Sequence, residues 1–133
     1  MKSSKTRRII LGLAALVFAA VAFGSLVAPQ KLAEGFGYTL ANTDALNEFR
    51  AIYVGLWLAT AAIFALAARR VENALLGDVC ALLLLGQVAG RISSLLLDGT
   101  PSERIWPMFV AELLGGVALL AIRPSGRSDG MLR

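Results

Sequence analysis

Histidine is absent from this chain and cysteine occurs once, at Cys80. That pair of shortages removes several kinds of chemistry at once. A zinc site of histidine and cysteine cannot be assembled, no intrachain disulfide or CxxC redox motif can form, and a histidine-ligated haem is excluded. No metal and no cofactor are expected. Cys80 lies within Asp78-Val79-Cys80-Ala81-Leu82, deep in an apolar run, and reads as a small buried hydrophobe. Charge is scarce too: charged residues make up 17% of the chain, against about 25% in an average soluble protein.

What is abundant is apolar surface. Of the 133 residues 57% are hydrophobic and the mean hydropathy is +0.70, too apolar for a soluble domain of this size to keep a polar exterior. The composition reads as an all-α polytopic membrane protein, one domain stabilised by helices packing in lipid. The net charge of +4 and pI near 9.8 could invite nucleic acid. The cations instead sit at the ends of apolar runs, where they meet anionic headgroups and set orientation. The bilayer is the expected partner, and nucleic acid is not.

Four runs are long enough, or nearly so, to cross the roughly 20 residues of a hydrocarbon core. The first is 9–28, behind the basic segment 1–8 with Lys2, Lys5, Arg7 and Arg8. Ala20-Val21-Ala22 resembles a signal-peptidase site, yet the run exceeds the roughly 7–15 apolar residues of a signal peptide, so a retained helix is expected. Pro29 to Asn47 reads as a loop with one short interfacial turn, its Asn42-Thr43-Asp44 cluster offering N-cap side chains. The second span is 48–68, closed by Arg69-Arg70, and the third is 74–97, ended by Asp98-Gly99. Thr100-Pro101-Ser102-Glu103 resembles a capping box with proline at the first helical position. A fourth helix is therefore expected from about Pro101, with its apolar span at 105–122. Residues 123–133 form a polar tail.

Lysine and arginine fix the direction. Nine of the 13 lie in the N-terminus, the 69–73 connection and the tail, and only Lys31 and Arg104 in the other two connections. The positive-inside rule then places both termini in the cytoplasm, giving a four-transmembrane-helix bundle of the bacterial inner membrane. No internal repeat marks an inverted-repeat transporter.

Arg91 and Glu112 each interrupt an apolar run. Arg91 stands six residues before Leu97 and Glu112 seven after Ile105, so at about 1.5 Å per residue both lie roughly 10 Å below the outer surface. A lone charge there costs about 2.5–3.5 kcal/mol on insertion scales, which pairing or contact with water reduces. Gln87, Arg91, Ser94 and Asp98 form one helical stripe, and Arg50, Tyr53 and Trp57 share a face of the second span. The expected site is an outer-leaflet pocket lined by Glu48, Arg50, Tyr53, Gln87, Arg91, Asp98 and Glu112. Two uses of it stay open: a buried ion pair that fixes helix register, or a site for an anionic or amphipathic ligand or a proton. Gly86-Gln87-Val88-Ala89-Gly90 and the ridge Ala51, Gly55, Ala59 indicate close helix contact, within one copy or between copies.

Glu48-Phe49-Arg50-Ala51-Ile52-Tyr53, Gly90-Arg91, Leu97-Asp98-Gly99 and Glu112 together resemble a bacterial family of small four-helix membrane proteins, catalogued as domain of unknown function 4345. The resemblance covers Ile9 to Ile122 and implies an architecture and a set of polar positions without an activity. The leading expectation is a non-enzymatic inner-membrane protein whose pocket holds a small or lipid-like ligand or supports a membrane complex or homo-oligomer. The alternative is a small proton-coupled transporter or exporter using Glu112. A lipid-modifying enzyme ranks third, because no nucleophile stands out.

Overall fold

The computed structural model describes residues 2–124, with side chains from Ser4 onward; the expected polar tail lies outside the described residues from position 125. The described residues contain helices and turns and no strand. In chain order they are α1 (Lys2–Val27), α2 (Pro29–Gly35), α3 (Thr43–Arg50), a π-helical segment (Ala51–Leu56), α4 (Trp57–Arg69), α5 (Ala74–Asp98) and α6 (Trp106–Ala121). Three stretches, Ser4–Val27, Thr43–Arg69 and Ala74–Asp98, are long and apolar enough to cross a membrane. α6 is apolar but has 16 residues, about 24 Å of helix. Large aliphatic side chains stand at the surface: Leu75 is 70% exposed, Leu82 71% and Leu97 84%. Lipid solvates such a surface and water does not, which fits an integral membrane protein.

The helix ends differ from the sequence expectation in three places. The 29–47 connection is largely helical. Pro29 opens α2 from its first turn, where a missing N–H costs nothing, and the chain turns at Gly37, whose φ of 84° suits glycine. The Asn42 carboxamide then accepts the Ala45 N–H at 2.8 Å, so α3 starts at Thr43 rather than Glu48. The second correction is the π segment, in a stretch expected to be regular helix. The sequence AIYVGL holds no proline and nothing else that announces a wide turn. The third is α6, which begins at Trp106 and not at Pro101. Pro107 is the reason: in a helix starting at Pro101 its ring would clash with the carbonyl of Glu103, whereas in the first turn of α6 it is accommodated.

The described residues divide into two compact units, one within 11–66 and the other within 1–10 and 67–133. In the 11–66 unit the interior is aromatic. Phe18 meets Trp57 edge-on at 5.2 Å and Phe64 at 5.5 Å. Tyr53 lies between Phe36 at 5.3 Å and Phe49 at 4.5 Å in near-parallel stacks, and its hydroxyl donates to the Tyr38 hydroxyl at 3.1 Å. Just past the π segment, the Thr60 hydroxyl donates to the Leu56 carbonyl at 2.9 Å.

The other unit is organised by the α5–α6 pair. Gly115 and Gly116 let the two helices approach: a Cβ on Gly116 would stand 2.7 Å from Leu85 Cγ, and one on Gly115 3.1 Å from Leu84 Cδ1. The motif singled out in the sequence behaves differently. A Cβ built on Gly86 or Gly90 would meet nothing within 4 Å beyond the backbone of its own helix turns, so the glycines that set the α5–α6 contact are those of α6. Asn73 caps α5 by accepting the Leu76 N–H at 3.0 Å, and Gly99, at φ 90°, ends it.

Candidate functional site

The close α5–α6 approach brings Arg91 to Glu112. Arg91 Nε donates to Glu112 Oε2 at 2.6 Å and Nη2 to Oε1 at 2.8 Å, the parallel two-bond geometry in which guanidinium and carboxylate attract most strongly. The side chains are 26% and 13% exposed. Each charge answers the other, so the two helices carry a neutral clasp rather than two isolated ions. Beside it opens a shallow, mainly apolar crevice bounded by Arg91, Leu95, Pro101, Ile105, Trp106 and Phe109. It has room for about one water.

The remaining expected site residues are placed as follows. Gln87 is half-buried one turn before Arg91 on α5. Asp98 ends the same helix, exposed, with its Oδ2 accepting the Ser94 hydroxyl at 3.0 Å. Glu48 and Arg50 are exposed in the last turn of α3, and Tyr53 belongs to the aromatic stack. Tyr53 packs on Trp57 at 5.1 Å and on Phe49, while Arg50 is exposed. Glu48, Arg50 and Tyr53 belong to the 11–66 unit, and Gln87, Arg91, Asp98 and Glu112 to the other. Among the described residues no three cysteine or carboxylate side chains cluster as metal ligands.

One polar centre escaped the sequence reading. Arg7, taken there as a headgroup cation, is 1% exposed. Its Nη1 donates to the Ile122 carbonyl, and its Nη2 to the carbonyls of Asn73 and Ala74, each at 3.4 Å. Nη1 thus supplies a cation to the C-terminal end of α6, where helix carbonyls are unpaired and the dipole is negative. Gly77 makes the space, since a Cβ there would overlap the Arg7 guanidinium. Next to this junction Arg123 Nε donates to both carboxylate oxygens of Asp78, at 2.9 and 3.0 Å. The one legible signal was Gly77 itself, a glycine in the first turn of α5 directly before Asp78.

A family model described as "Domain of unknown function (DUF4345)" matches residues 6–122. The chain belongs to this family. The match encloses Arg7, the Glu48–Tyr53 segment, the Arg91–Glu112 clasp and Ile122. No curated protein and no solved structure matches the chain.

Proposed function

We propose that the protein is a non-enzymatic, four-span integral protein of the bacterial inner membrane with both termini cytoplasmic, serving as a helical scaffold for a membrane complex. The Arg91–Glu112 clasp holds α5 and α6 in register in the outer leaflet. α6, short for a span, crosses with local thinning of the bilayer. The observation that carries this reading is the two-bond engagement of both Glu112 oxygens by Arg91. A clasp so closed, beside a crevice of one water's size, favours holding helices over housing a ligand.

A second reading rests on the crevice bordering Arg91. If a small or lipid-like anion enters there and draws Arg91 away, Glu112 becomes the proton-carrying acid of a small transporter.

Melting in detergent of Arg91→Leu, Glu112→Leu and the double variant separates the two. The scaffold reading expects each single change to cost up to about 3–5 kcal/mol, because it strands a buried charge, and the double to cost less than their sum. Strictly additive losses overturn the clasp. The transporter reading expects proton uptake by the native protein in proteoliposomes between pH 5 and 8, abolished in Glu112→Gln.

A further inference from the structure

Arg7 joins three segments far apart in sequence. Its hydrogen bonds reach the α4–α5 turn at Asn73 and Ala74 and the end of α6 at Ile122. Each of these segments carries an exposed arginine close by: Arg8 beside Arg7, Arg70, whose carbonyl accepts the Asn73 N–H at 2.8 Å, and Arg123 beside Ile122. Lys5 and Arg69 are exposed in the same segments. The countercharges are Glu72, exposed in the turn, and Asp78, which is committed to Arg123. A fully buried cation therefore ties together three chain segments, each of which carries an exposed cation within a few residues of the tie. Like charges held together gain stability from an anion placed among them, and a cluster of four to eight lysines and arginines at a membrane surface is the electrostatic match for anionic headgroups.

We propose that this Arg7-centred junction binds the phosphate-bearing headgroup of an anionic phospholipid at the cytoplasmic surface, with Arg8 and Arg70 as its principal contacts. The proposal rests on the membrane reading above, but the two fail differently: topology fails in reporter fusions, and this site fails in lipid selectivity.

The test is binding of dioctanoyl phosphatidylglycerol and dioctanoyl phosphatidylcholine to the full chain in neutral detergent. Phosphatidylglycerol should bind more tightly, with an affinity that falls as salt rises. Arg8→Gln with Arg70→Gln should weaken it roughly 30-fold, and either change alone about fivefold. Arg8→Lys with Arg70→Lys should retain selectivity, as should Arg50→Gln. If the double glutamine variant fails to fold, the single variants decide. Equal binding of the two lipids, undiminished binding by the glutamine variants, or displacement by an equal concentration of inorganic phosphate would each overturn the proposal.

Discussion

A buried arginine is expensive, since several kcal/mol of lost hydration must be recovered from its contacts. Arg7 recovers part of it from three carbonyls, and Gly77 is what lets the guanidinium reach them. Replacing Gly77 by alanine should therefore destabilise the protein by about 1–3 kcal/mol through overpacking, although alanine is the better helix former. With Arg7→Met already in place the same change should cost much less. Melting the two single variants and the double measures that coupling, and equal penalties in both backgrounds would sink the account. Propensity and packing pull in opposite directions at residue 77, so the sign of the effect separates them.

Among the elements, the π segment has the least precedent in the sequence. Its flanks carry Phe49 and Trp57, its interior carries Tyr53, and the Tyr53 ring packs against both of the others. Residues four apart already neighbour on an ordinary helix, so the ring pattern was legible, whereas the widened turn was not. Tyr53→Phe keeps the stack and loses the bond to the Tyr38 hydroxyl at the surface, so it should cost less than about 1 kcal/mol. Tyr53→Leu removes two stacked ring contacts worth about 0.5–1.5 kcal/mol each and should cost about 1–3 kcal/mol. Near-ultraviolet circular dichroism during thermal melting reads both stability and aromatic packing. A Phe variant as damaged as the Leu variant would show that the hydroxyl, and not the ring, matters most.

For the whole molecule the decisive property is orientation. Nine of 13 cations fall in the N-terminus, the 69–73 connection and the tail, and a protein inserted by the positive-inside rule keeps those segments in the cytoplasm. A phosphatase reporter that works only outside the cytoplasm should be inactive when fused after Arg133 and active when fused at Gly37. Activity at Arg133 would eliminate the four-span arrangement, and with it the outer-leaflet depth assigned to Arg91 and Glu112.

Composition and the length of the apolar runs determined the all-helical, lipid-compatible class of this protein, because continuous runs of about 20 apolar residues match a spanning helix, which satisfies its own backbone in lipid. Helical rise also placed Arg91 and Glu112 level with each other, since depth along a helix is a function of residue number. Tertiary structure decided what residue number does not encode. It brought α5 and α6 near enough, through Gly115 and Gly116, for two hydrogen bonds to close the clasp. It moved the start of α6 to Trp106, where Pro107 no longer meets a carbonyl. It also drew Arg7 inside, against Asn73, Ala74 and Ile122. A cation at the edge of an apolar run is equally compatible with headgroups and with helix ends. Only the position of carbonyls 66 and more residues away in the chain settles which it meets.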